Sequence, residues 1–175
     1  IDRSTSAGLF NDTGTFTNAA KITIGALASV GNYGIDNVST FNNNTGGEIS
    51  IDRSTYCGLG NSSGTFDNSS KIIIGFIASV GGYGMQNVGT VNNNTGGDIG
   101  IEQTSIGLKN DGVFTNLSKI KIGASLSVGI FGIENYASFT NSAGGELSID
   151  RTANTGIYNR IGSSFSNASK IYLGE

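Results

Sequence analysis

The sequence contains no proline, histidine or tryptophan, a single cysteine, and charged residues at only 13% of its 175 positions. Each shortage closes off a class of chemistry. Without histidine, no side chain has an ordinary pKa suited to general-base work near neutral pH. The lone Cys57 rules out an intrachain disulfide and a cysteine-based zinc site. No apolar run approaches the length that a bilayer-spanning helix needs. The net charge of −3 is mild and spread along the chain, with no basic stripe to mark a nucleic-acid partner. No signal peptide is visible, and the chain opens at Ile1 without methionine, as a processed secreted protein or a piece of a longer one would.

What is abundant is glycine, at 28 positions, together with Asn, Ser and Thr. Low charge and many neutral polar residues can mark disorder. Here, however, 37% of residues are hydrophobic and they recur at fixed places, so the chain has a face to bury. Order is expected. The segment IDRSTSAGLFNDTGTFTNAAKITIG at 1–25 returns as IDRSTYCGLGNSSGTFDNSSKIIIG at 51–75, and 26–50 matches 76–100. Residues 101–148 repeat the pair with a two-residue deletion, and 149–175 begin another copy.

Each long repeat (1–50, 51–100, 101–148, 149–175) divides again. Gly8, Gly34, Gly58, Gly84, Gly107, Gly132 and Gly156 form one column, and Asn11, Asn37, Asn61, Asn87, Asn110, Asn135 and Asn159 a second. Phe16, Phe41, Phe66, Val91, Phe114, Phe139 and Phe165 form a third, followed two residues on by Asn18, Asn43, Asn68, Asn93, Asn116, Asn141 and Asn167. The unit is therefore a coil of about 25 residues, present about seven times. Within it apolar residues alternate, a strand signal rather than a helical one. Ala7, Leu9 and Asn11 are expected to share a face, as are Phe16 with Asn18 and Ile22 with Ile24.

Three short strands per coil, separated by Gly/Asn/Ser/Thr turns, predict an all-β fold: a right-handed parallel β-helix (β-solenoid) running through 1–175 as one segment. Layers about 4.8 Å apart make a rod of roughly 34 Å. Inward Phe and Ile columns bury roughly 1.5–3 kcal/mol per side chain. The Asn18 column is expected to hydrogen-bond along itself, amide to carbonyl, and to satisfy backbone groups at a corner. The Gly8 column is expected to serve turns that need positive φ.

One further column explains a period of two coils. Lys21, Glu48, Lys71, Asp98, Lys119, Glu146 and Lys170 alternate in sign at every coil. Each charge then has an opposite neighbour above and below, whereas a one-coil slip sets Lys on Lys. Surface pairs of this kind contribute about 0–1 kcal/mol each, so their expected effect is on register.

The recurring G-[LI]-x-N-x-x-G-T-F-x-N with [KE]-I-x-I resembles the right-handed β-helix repeats of large bacterial surface and secreted proteins. Many of those are adhesins or extracellular fibres, and the resemblance covers the whole chain. Pectate-lyase-like enzymes share such a helix and its Asn ladder, so the fold alone does not decide for or against catalysis. The resemblance implies an extracellular or cell-surface rod, structural or adhesive; with no histidine and no long loop to gather the charges, neither an enzyme nor a cofactor is expected. Its implied partners are further coils of its own kind, by continuation or end-to-end stacking, and surface glycans or other cells. Leu9, Phe16, Ile22 and Ile24 already follow the pattern in the first coil, and Ile157, Phe165, Ile171 and Leu173 in the last, so a longer stack is expected.

Asp2, Asp52 and Asp150 stand at equivalent positions at least about 9.5 Å apart on the layer spacing. That is too far to share one calcium ion, with ligands at about 2.3–2.6 Å. Structural pairing with the adjacent Arg3, Arg53 and Arg151 is expected. Asp12, Asp36, Asp67, Glu102, Lys109, Asp111, Lys121, Glu134 and Arg160 fall off the period and read as scattered, with no long loop to gather them. An ice-binding face is a competing reading, from outward Thr15, Thr17, Thr40, Thr65, Thr90, Thr115 and Thr140. Asn42, Asp67, Asn92 and Val113 interrupt it. A polysaccharide-active β-helix is another. The triplets Asn68-Ser69-Ser70 and Asn116-Leu117-Ser118 match a glycosylation pattern, but their Asn belong to an inward column. Cys57 is expected as a small buried hydrophobe, and Tyr33 and Tyr83 as packed aromatics.

Overall fold

The computed structural model describes residues 1–174, which form 21 short strands and no helix. In the first coil these are β1 (Ala7–Asn11), β2 (Thr15–Asn18) and β3 (Lys21–Ile24); the last coil ends with Thr155–Asn159, Ser164–Asn167 and Lys170–Leu173. Every strand pairs in parallel with its counterparts one coil before and after, giving three seven-stranded sheets around a single core. The fold is a β-solenoid of seven coils with three strands each, as the repeat predicts. Coils 1 to 7 begin at residues 1, 26, 51, 76, 101, 124 and 149.

Like residues lie over like because the registers are unbroken. Phe16 pairs with Phe41 and Phe41 with Phe66, their ring centroids 4.8 Å apart in each step. That matches the spacing of hydrogen-bonded strands, so a phenyl column stacks without strain. Val91 interrupts the column, and Phe114, Phe139 and Phe165 resume it at 4.9 Å. Columns headed by Leu9, Ile22 and Ile24 fill the remaining interior, fully buried in the middle coils.

Two expectations need correction here. The Gly8 column does not serve positive φ: none of its glycines lies in the left-handed region. Those residues sit within strands, and what they need is room. A Cβ at Gly34 would lie 2.2 Å from Ile51 Cγ2, and one at Gly84 would lie 2.3 Å from Ile101 Cγ2. The same geometry removes Ala7 from the face that Leu9 and Asn11 share. Gly8 and Leu9 both face the core, and the residue before them faces out. Tyr33, in register with Ala7, lays its ring against the outer surface at Gly60.

The corner between the third sheet and the first alternates by coil. An odd coil closes through a left-handed glycine, Gly25, Gly75 or Gly123, at φ 70–73°. An even coil leads instead into the left-handed Arg53, Gln103 or Arg151, and Arg3 holds the same conformation in the first coil. Non-glycine residues in that region are uncommon and need local bonds to hold them.

Candidate functional surfaces

Both Asn columns are ladders, not only the one headed by Asn18. Asn18 Nδ2 donates to Asn43 Oδ1 at 2.8 Å, Asn43 to Asn68, Asn68 to Asn93, Asn93 to Asn116, Asn116 to Asn141 and Asn141 to Asn167, all within 2.7–2.8 Å. The column headed by Asn11 does the same through Asn37, Asn61, Asn87, Asn110, Asn135 and Asn159 at 2.7–2.9 Å. They sit at corners, where most also donate to backbone, as Asn37 does to the carbonyls of Ser39 and Thr65, while Asn18 and Asn68 instead accept the amides of Ala20 and Ser70. A buried corner has carbonyls that no strand pairing reaches, and the amide supplies the missing donor. Asn68 and Asn116 are fully buried in this way, so the side chains of both glycosylation-like triplets are already engaged.

The charge column is in register along its whole length: Lys21 over Glu48, then Lys71, Asp98, Lys119, Glu146 and Lys170. Of these pairs only Lys21–Glu48 closes to a direct ion pair, at 2.8 Å. The lysine beside it holds the Glu48 carboxyl below the usual carboxylate range. The other charges are close enough to attract through solvent and remain unlocked, the behaviour expected of an exposed ladder.

Asp2 and Asp52 bind loop amides rather than the arginine that follows each of them. Asp2 Oδ1 accepts the amides of Leu27 and Ala28, which lower its pKa, and Asp52 Oδ1 accepts those of Ile77 and Ala78. Glu102 takes the amides of Ser125 and Leu126. Pointing the other way, Arg53 donates to the carbonyls of Gly25 and Ala26, Gln103 to Gly75 and Phe76, and Arg151 to Gly123 and Ala124. Each even-coil loop is thus clamped by the odd coil on either side of it. Loop amides and carbonyls attract these side chains more strongly than a neighbour on a tight left-handed turn can.

The off-period charges are not all scattered. Lys109, Asp111, Glu134 and Arg160 converge on the outer face of the first sheet with Tyr83, Tyr136 and Tyr158. Lys109 pairs with Asp111 at 3.0 Å and Arg160 with Glu134 at 2.7 Å. The Tyr136 ring lies between two cations, with Lys109 Nζ at 5.0 Å and the Arg160 guanidinium at 4.7 Å, and its hydroxyl donates to Glu134. Linear spacing hid this cluster. It is visible only when positions 109, 134 and 158, and likewise 111, 136 and 160, are stacked as columns. Its ring faces and charges are mutually engaged, so it braces coils 5 to 7.

Lower on the same face, Tyr56 makes edge contacts with Tyr33 and Tyr83 at 5.5 and 5.3 Å. Cys57 lies in register between Tyr33 and Tyr83, fully buried, and burial pushes its thiol far up from the ordinary value. The second sheet turns Thr15, Thr40, Thr65 and Thr90 outward in one unbroken column, continued by Val113, Ser138 and Ser164. The column beside it changes chemistry at Asn42, Asp67 and Asn92, where Asn92 donates to Asp67. Comparison of the chain with protein-family models, with curated proteins and with solved structures finds no match in any of the three.

Proposed function

We propose that the chain is a rigid segment of an extracellular or cell-surface protein, a stacked-coil rod that is structural in its core and adhesive on its outward columns. One observation carries this reading: inward and outward positions of the same strands differ in variability. Inward, the column headed by Leu9 holds only Leu, Ile and Met over seven coils. One residue further, facing out, it reads Phe10, Asp36, Gly60, Gln86, Lys109, Glu134 and Tyr158. A frame repeated for stiffness and a surface that changes at each layer suit a spacer that presents contacts. Continuation or stacking of coils belongs to the same reading, with surface glycans or other cells as the bound material.

The interrupted column beside Thr15 weighs against a hydroxyl array built for ice. The recesses beside the even-coil loops are shallow and lined mainly by Ser, Thr, Gly, Ala and Val, which weighs against a hydrolytic centre there. Antibody raised against this chain should label intact cells of the source organism. Labelling only after lysis overturns the surface reading. Beads coated with the chain should adhere to such cells or to glycan-coated surfaces more than beads carrying a denatured control, and equal adhesion overturns the adhesive part.

A further inference from the structure

The corner between the third sheet and the first carries apolar groups that the core does not use. Even coils carry the longer loops there, whereas Tyr56 of coil 3 lies against Tyr33 and Tyr83. The even-coil tips are Leu27 in coil 2, 87% exposed, Phe76 and Ile77 in coil 4, 54% and 60% exposed, and Leu126 in coil 6, 37% exposed. Odd coils are drawn in at this corner by the clamps described above. Between successive tips lies a recess floored by the odd coil. One of about 600 Å³ lies over Gln103, Thr104 and Ser105, between the loops of coils 4 and 6. Another of about 470 Å³ lies over Arg53, Ser54 and Thr55, between the loops of coils 2 and 4. Tips and recesses therefore alternate along one edge with a common pitch of two layers, about 9.6 Å.

We propose that two copies of this chain mesh side by side along this corner, antiparallel, with the apolar tips of each seated in the recesses of the other. The pitch selects the occupant. A second copy is the one partner that presents projections at the spacing of these recesses along the whole edge. Symmetry then fixes the register. A two-fold axis perpendicular to the rod exchanges tips with recesses only where it maps even coils onto odd ones. An axis between coils 4 and 5 does so: it sets coil 4 against coil 5 of the partner, and coil 6 against coil 3. The bulkiest tip, Phe76–Ile77, then meets the larger recess. An exposed apolar row rimmed by polar groups is the usual mark of an association surface, and a two-fold contact is self-complementary by construction. The inference goes beyond the rod reading and does not depend on where the rod is displayed.

Two single variants, Leu126→Cys on the coil 6 tip and Thr55→Cys in the coil 3 recess, test the mesh when mixed in equal amounts and oxidised gently, because this register sets like positions of the two copies three layers apart. Buried Cys57 stays out of the reaction. A covalent dimer is expected from the mixture and from neither variant alone. Leu126→Cys alone serves as the tip-against-tip control. Sedimentation of the unmodified 175-residue chain should show a concentration-dependent dimer. Ile77→Asp should weaken it at least tenfold with an unchanged circular dichroism spectrum, while Phe10→Asp on another face leaves it intact. A monomer at every concentration, no covalent product from the tip-and-recess mixture, or equal cross-linking tip against tip each overturns the mesh. The surface-labelling outcome is unaffected by any of these.

Discussion

Replacing Asn61 by alanine tests whether the ladders hold the rod together. Asn61 is fully buried in the middle of its column. Its Nδ2 lies 2.9 Å from Asn87 Oδ1, 2.9 Å from the Gly64 carbonyl and 3.0 Å from that of Thr90, and its Oδ1 accepts from Asn37 at 2.8 Å. Two protons serve the three acceptors, so alanine removes about three hydrogen bonds, at about 1 kcal/mol each. It also leaves Asn87 Oδ1 buried without its donor, so about 3 kcal/mol is a lower figure. For a chain of this size each kcal/mol moves the melting temperature by about 2–4 °C, giving a drop of about 6–12 °C. Asn159→Ala at the exposed end of the same column removes a bond from Asn135 where water can replace it, and should cost less than about 1 kcal/mol. Asn61→Asp keeps the shape but turns an acceptor toward three acceptors, and should be at least as damaging as alanine. Thermal melts followed by circular dichroism and tyrosine fluorescence decide it. Equal shifts for Asn61→Ala and Asn159→Ala would refute the view that buried ladder bonds stabilise the stack.

Gly84→Ala should destabilise by about 1–3 kcal/mol or more, because its Cβ would meet Ile101 Cγ2 at 2.3 Å. Gly100→Ala, whose nearest new contact is 3.8 Å away, should be close to neutral, and a reversed order in chemical denaturation sinks the space argument. Glu48 should titrate below an ordinary glutamate by NMR and return toward the ordinary value in Lys21→Met. Because its folded pKa is lowered, the stabilisation is present above the ordinary glutamate pKa and is lost as pH falls through the folded one. Lys71→Glu sets an acid between Glu48 and Asp98 and should lower the melting temperature more than Lys121→Glu, which lies between Gly100 and Ser148. The difference should shrink in high salt, and no difference at low salt removes any energetic role for the alternation.

The columns made the solenoid legible because stacking converts sequence period directly into contact. Phe16 over Phe41, and Lys21 over Glu48, need no long-range guess once the coil length is known. What sequence reasoning missed lies where stacking is not the deciding force. The Gly8 column has the composition of a turn, and only the opposing Ile24 column shows that it is kept small for packing. Arg53 looked like a partner for Asp52 because they are adjacent, yet its left-handed backbone turns it toward the loop of the preceding coil. The Lys109–Tyr136–Arg160 brace arises from residues off the period, each unremarkable in its own coil and informative only across three.

Three features share the period of two coils: the alternating charge column, the clamps of Asp2, Asp52 and Glu102, and the projecting loops that those clamps hold. Together they make the pair of coils, not the single coil, the unit that can be added or removed. Deleting residues 51–100 joins Ser50 to Ile101, leaving Glu48 beneath Lys119 and the Gln103 amide above the Gly25 and Ala26 carbonyls that Arg53 now holds. Deleting only 76–100 removes less of the chain but sets an odd coil on an odd coil. Lys71 then lies beneath Lys119, and Asp52 loses the Ile77 and Ala78 amides without a loop to replace them. In a solenoid, stability is close to a sum over neighbouring coils, so a shorter chain with all its interfaces intact can outlast a longer one with a single bad junction. The chain lacking 51–100 should melt cooperatively. The one lacking 76–100 should melt at a lower temperature or in two steps, with early loss at the junction. If the single-coil deletion proves the more stable, charge and clamp alternation are incidental and the fold counts in units of one coil.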